Sequence, residues 1–200
     1  ASDVYKRQGG NVYTRISNPT VAVLEQRIAA LEGGVAATAT ASGMAALAVA
    51  IMTICSKGDH IVASSRMYGA NINLLENTLP RFGIATEFVD PTNVAAIEAA
   101  IQPNTKIVFG EVIGNPGLDI MDVEAVAEVT AKAGVPLMLD CTFNTPWLLK
   151  PFALGANIII HSLTKWIGGH GIAIAGAVVD GGNFDWSQND KFPSIAGPHY

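Results

Sequence analysis

NIIIHSLTKWIGG, residues 157–169, sets an apolar run short enough for a buried strand just before a lysine and a glycine pair. Asn157 to Ile160 reads as the strand, and Lys165 falls where that strand gives way to a loop. An amine held at the end of a buried strand loses hydration, which disfavours its charged form and makes it a usable nucleophile. Ser162 and Thr164, just before it, carry hydroxyls that can donate to a phosphate, and Gly168 and Gly169 let backbone approach a ligand closely. Taken alone, the same letters also describe a surface lysine that follows a strand.

The segments around this run alternate. Strand patterns fall at His60–Ser64, Ala85–Asp90, Lys106–Val112, Pro136–Asp140, Asn157–His161 and Ala175–Asp180. Helical patterns separate most of them: NINLLENTLPRFG (71–83), VAAIEAAI (94–101) and VEAVAEVTAKAG (123–134). Earlier in the chain, Val21 to Gly33 shows helical spacing and ends on a glycine stop, and a second helix is predicted from near Gly43 to Cys55. Such alternation predicts an α/β domain with a mainly parallel sheet covered by helices on both faces. Ligands of such sheets bind beyond the carboxyl ends of the strands, so polar residues there are the candidates.

Composition narrows the ligand. A net charge of −5 argues against nucleic acid or an anionic membrane as the main partner and for a small molecule. The two cysteines, Cys55 and Cys141, are far apart and form no CxxC pattern, so neither a disulfide framework nor a metal site is expected, and a reducing compartment is. Val35 to Cys55, the most apolar stretch, is interrupted by Thr38, Thr40, Ser42 and Gly43. It reads as a buried loop and helix rather than a membrane span. Residues 1–8 have no apolar segment behind them and are expected to be extraneous or disordered.

Several strand-end residues invite chemistry. Asp140 closes PLMLD, where an acid needs a cation or donors; a protonated pyridine nitrogen would serve, and so would a loop that the aspartate caps. Thr142 and Asn115 follow two of the strands, although Asn-Pro-Gly is also a turn in its own right. Gly43 opens a helix whose free N–H groups can hold an anion. Tyr68 can stack on a flat ring and lend its hydroxyl to proton transfer, or simply pack.

Together these segments resemble the pyridoxal-phosphate enzymes of cysteine and methionine metabolism, the transsulfuration family. YTRISNPT (13–20), LE near Leu31, ASGMAAL (41–47), MYGAN (67–71), GEVIGNPG (110–117), DCTFNTP (140–146) and HSLTKWIGGHG (161–171) occur in that family's order, covering Asn11 to Tyr200. The resemblance implies fold type I, aspartate-aminotransferase-like. Residues 21–200 would be the pyridoxal 5'-phosphate (PLP) binding large domain, truncated so that the small C-terminal domain is absent, and residues 9–20 an N-terminal arm. It implies that Lys165 bonds the cofactor, Asp140 meets its ring nitrogen and Tyr68 stacks on the ring. Gly43, Met44, Ser162 and Thr164 would hold the phosphate, with Asn115 and Thr142 near the ring substituents. Tyr13 and Arg15 would reach the cofactor of a neighbouring subunit in a homodimer or homotetramer. The nearest branch is similar to O-acetylhomoserine sulfhydrylases, from GGHGIAIAGAVVDGGNFDW (168–186). That implies a cytoplasmic transferase replacing the acetyl ester of O-acetyl-L-homoserine by sulfide or a small thiol, in methionine biosynthesis. Methionine γ-lyase and cystathionine γ-synthase are the alternatives, and a non-catalytic PLP-binding fragment a further one. Cys141, Asn71 and Ile172 depart from the usual asparagine, threonine and threonine of the pattern.

Overall fold

In the computed structural model, residues 11, 13, 14 and 16–196 are described; Arg15 and residues 1–8 lie outside them. The chain runs α1 (Pro19–Glu32), β1 (Ala36–Thr40), α2 (Gly43–Ile54), β2 (His60–Ser64), α3 (Gly69–Asn73), β3 (Ala85–Val89), α4 (Val94–Ala100) and β4 (Thr105–Glu111). It continues through α5 (Val123–Ala133), β5 (Leu137–Asp140), α6 (Thr145–Leu148), β6 (Ile158–Ser162), β7 (Gly176–Asp180) and α7 (Pro193–Ala196). One seven-stranded sheet has the order β1-β7-β6-β5-β4-β2-β3. β3, β2, β4, β5 and β6 are parallel, while β7 is antiparallel to both β6 and β1. Two reversals leave β1 pointing with the parallel set, so β1, β2, β4, β5 and β6 all end at one edge.

The central strands read as continuous apolar runs because both of their faces are covered. Ile61, Ala63, Ile107, Phe109, Met138, Ile158 and Ile160 turn toward α2, where Ala46, Leu47, Ala50, Ile51 and Ile54 recur at helical spacing. Val62, Val108, Leu137, Leu139 and Ile159 turn the other way, onto Ile28 of α1, Ile97 of α4 and Val126 of α5. The period of two on each strand thus divides one sheet between two cores. Local signals fix the helix ends. Asn18 caps α1 through its side chain, which accepts from Thr20 and Val21 N–H, and Gly33 closes it at φ 80°. Asp122 and Gly134 do the same for α5. Glu32 at the end of α1 hydrogen-bonds His161 of β6, both side chains fully buried, which ties α1 to the strand that leads to Lys165.

One expectation is corrected. Residues 35–40 are not a buried loop: Ala36–Thr40 is an edge strand, half exposed, and among the described residues it pairs only with β7. Its alanines and threonines carry too little apolar contrast to show a strand period. The segment 71–83 is helical as expected, though not α-helical throughout. After α3 it widens to a π-turn at Leu74–Thr78 and tightens to a 3-10 turn at Leu79–Phe82, because Pro80 has no N–H to continue the ladder.

Burial pushes the Cys55 thiol up to about 12, with Asp59 adding to the effect, and raises that of Cys141 well above its ordinary value. Both thiols should therefore stay protonated and resist a disulfide reagent in native protein at about pH 8, reacting only in denaturant. Fast labelling of either in the native state would contradict this burial.

Candidate functional site

At the edge where β1, β2, β4, β5 and β6 end lies a cavity of about 890 Å³. Each ending strand contributes to it through the residue that closes it or the loop that follows. Gly43 and Met44 come from the turn after β1, Tyr68 from that after β2, and Asn115 from that after β4. Asp140 and Thr142 come from the end of β5, and Ser162, Thr164 and Lys165 from the end of β6. Nine of the sequence-predicted residues thus line one space. Tyr13 is half-exposed and is not among the lining residues, and Arg15 lies outside the described residues.

One wall of the cavity is an anion cradle. The Ser42 side chain caps α2 by accepting from Ala45 N–H at 3.1 Å, leaving the first amides of the helix, Gly43 and Met44, without partners inside it. The close fit beneath them requires glycine. A Cβ on Gly43 would lie 2.7 Å from Ser162 Cβ, and one on Gly176 would lie 2.1 Å from Ser42 O. Gly176 sits between Thr40 and Ser162 in the sheet register, so this turn rests directly on β7 and β6. The Ser162 hydroxyl makes no hydrogen bond among the described residues. Thr164 differs from expectation: its hydroxyl donates to Ala175 O and accepts from Ala175 N–H, both at 3.1 Å, so its one hydrogen is engaged with backbone.

Another part of the lining is acidic. Asp140 finds donors rather than a cation: Thr142 N–H at 2.9 Å and the Asn71 amide at 3.4 Å. Thr142 Oγ accepts from Ser162 N–H at 2.8 Å, joining the ends of β5 and β6. Beside Asp140 in the sheet register stands Glu111, buried, which the sequence reading passed over. Burial first, and the Asp140 charge second, push the Glu111 carboxyl up to about 7, against the pull of three N–H donors. The signal was available, since Glu111 closes an apolar strand just as Asp140 does. Arg66 steadies the loop that carries Tyr68 by pairing with Asp90 at 2.7 Å and Asp119 at 2.5 Å.

Lys165 is not buried as expected. β6 ends at Ser162, and the lysine stands in the turns beyond it, exposed at the cavity mouth, its side chain without a hydrogen bond or ion pair among the described residues. The chain covers that mouth sparsely. Trp166 is 63% exposed and Ile174 74%, with Phe143 tilted against Trp166 at 6.2 Å between ring centres. Trp166, Phe143 and Asn71 also line the cavity. A free amine, a carboxylate and an anion cradle on separate loops around one partly apolar cavity can hold an anionic aromatic aldehyde by three of its groups.

The family model described as Cys/Met metabolism PLP-dependent enzyme matches residues 1–199. An O-acetyl-L-homoserine sulfhydrylase of Leptospira meyeri is 48% identical over 189 residues, 94% of this chain and 42% of the relative. A homocysteine synthase of Schizosaccharomyces pombe is 50% identical over 195 residues, 96% of this chain and 46% of the relative. A crystal structure described as an O-acetylhomoserine (thiol)-lyase of Campylobacter jejuni, with N'-pyridoxyl-lysine-5'-monophosphate, superposes with a TM-score of 0.90 at 37% identity. The superposition covers 94% of this chain and 47% of that one. The chain therefore spans under half the length of the curated relatives it matches.

Proposed function

Because the chain belongs to the Cys/Met metabolism PLP-dependent enzymes, we propose that it is the cofactor-binding part of an enzyme converting O-acetyl-L-homoserine and sulfide to homocysteine and acetate, with a small thiol giving the thioether instead. The gathering of Lys165, Asp140 and the Gly43 helix start around one cavity carries this reading. The relatives named for O-acetylhomoserine and homocysteine support the choice of substrate.

The residues fit pyridoxal 5'-phosphate on the structure's own terms. The cradle under Gly43 and Gly176 leaves no room for a Cβ, and its donors line the same cavity as the Glu111 and Asp140 carboxylates. Gly43 and Met44 N–H with the Ser162 hydroxyl would hold the phosphate, and Thr164 would join them by turning from Ala175. Asp140 would keep the ring nitrogen protonated, Tyr68 would lie on the ring, and Asn115 and Thr142 would border its substituents. Bound there, the cofactor withdraws electrons from the substrate's α-carbon and lowers the barrier to its deprotonation. Lys165 Nζ would hold the cofactor at its aldehyde end and would be the base that accepts the substrate's α-proton. Tyr68 would assist by moving a proton at its hydroxyl. On this reading residues 9–20 would be an arm, and Tyr13 with Arg15 would complete the site of a second copy in a homodimer or homotetramer. Buried, unpaired thiols suit a cytoplasmic setting. Among the described residues no helix is long and apolar enough to cross a membrane.

The full-length protein supplied with PLP, O-acetyl-L-homoserine and sulfide should release homocysteine and acetate in equal amounts. Faster consumption of methionine alone would assign it to the lyases instead. Asp140→Asn should weaken cofactor binding about ten- to a hundredfold, through loss of a charge-assisted hydrogen bond of about 1.5–3 kcal/mol, measured by spectroscopic titration.

A further inference from the structure

Glu111 does no work in the chemistry above, yet it is the most enclosed acid in the cavity, 7% exposed. Its Oε1 accepts from Tyr68 N–H at 2.8 Å and from Asn71 Nδ2 at 3.0 Å, and its Oε2 accepts from Asn115 N–H at 3.0 Å. The Asn71 amide, itself 2% exposed, reaches on to Asp140 Oδ2 at 3.4 Å. Two carboxylates on adjacent strands are thus bridged by a single amide, and neither makes an ion pair among the described residues.

Two anions so placed repel, and burial disfavours a second charge, so one of them retains a proton. Glu111 is the better holder. It is the more buried of the two, and its carboxyl is pushed up to about 7 by burial and by Asp140. The other titratable groups lining this space are Lys165, from the loop after β6, and Tyr68, from the loop after β2. Arg66 in the latter loop is engaged by Asp90 and Asp119.

We propose that Glu111 is a proton store for Asp140: when the cationic ring nitrogen of the cofactor docks against Asp140, Glu111 ionises and gives its proton to solvent. The O–H bond of Glu111 breaks, its proton leaves on water, and the new carboxylate charge is balanced by the ring N–H beside Asp140. Glu111 is a positioning residue in this role, acting through Asp140 and holding the Tyr68 and Asn115 loops. The inference rests on the cofactor reading above and adds to it that loading is linked to pH.

The sign follows from linkage. A group that must lose a proton on binding weakens binding once the pH falls below its value in the free protein. Full-length apoprotein should be titrated with pyridoxal 5'-phosphate, followed by cofactor absorbance, across about pH 5.5–8.5. Between pH 8 and 6 the parent should lose about tenfold more affinity than Glu111→Gln does, with circular dichroism confirming that both are folded. If Glu111→Gln does not fold, Asp140→Asn should flatten the profile in the same way, because it removes the carboxylate through which docking of the ring nitrogen would ionise Glu111. Parallel profiles for the parent and a folded variant would overturn the proposal and leave the cofactor reading standing. Failure of the parent to bind the cofactor at any pH would overturn both.

Discussion

Lys165→Ala should abolish the visible absorbance of covalently held cofactor and lower turnover by about 10⁴-fold or more, with little change in thermal stability. The expectation separates chemistry from folding because of where the side chain stands. It is exposed and makes no hydrogen bond among the described residues. Its backbone alone holds the turn, Lys165 N–H donating to Ser162 O at 3.2 Å and Lys165 O accepting from Gly169 N–H at 2.9 Å, and alanine keeps both. Borohydride reduction followed by mass spectrometry should find the pyridoxyl group on Lys165 in the parent and nowhere in the variant. A variant that retained full exchange activity would refute the role of this amine.

Gly176→Ala should be the most damaging small substitution away from the lysine. The new Cβ would meet Ser42 O at 2.1 Å, Ser42 C at 2.4 Å and Gly43 N at 2.7 Å, all of them backbone atoms that cannot rotate aside. The turn that begins α2 must then lift from the sheet. Overpacking of this kind costs about 3 kcal/mol of stability. Displacing two N–H donors from a phosphate, at about 1.5–3 kcal/mol each, should weaken cofactor binding by at least about a hundredfold. Thermal denaturation and cofactor titration measure the two losses. Gly69→Ala is the control: a Cβ there meets nothing within 4 Å, so its effect should stay within about 0.5 kcal/mol. Equal affinities for the parent and Gly176→Ala would mean that the α2 turn does not hold the phosphate.

How much of this was legible in the sequence depended on burial. β2, β4, β5 and β6 are covered on both sides, and their apolar runs announce them. β1 is an edge of alanine and threonine whose strand character comes from β7, well over a hundred residues away in sequence, so no local pattern reveals it. The site divides similarly. Asp140, Lys165 and Gly43 each stand at a recognisable boundary between elements, and the fold brings those boundaries to one edge. That Glu111 shares a wall with Asp140 depends on β4 lying next to β5, which is a property of topology and not of spacing. The exposure of Lys165 was equally hidden, because strand burial says nothing of what covers the loop beyond the strand. The roles proposed for Tyr13 and Arg15 rest on the resemblance alone: Tyr13 stands off the cavity lining and Arg15 lies outside the described residues.

The pairing of β1 with β7 alone sets a timetable for biosynthesis. During translation β1 emerges early but has no edge to join until residues 176–180 have left the ribosome, so the shelf that β7 provides beneath Ser42 and Gly43 is finished after the other six strands of this sheet have emerged. Vitamin B6 would find a lysine and an acid on the growing polypeptide before it found a berth for its phosphate, and ribosome-stalled chains ending before Gly176 should not retain it.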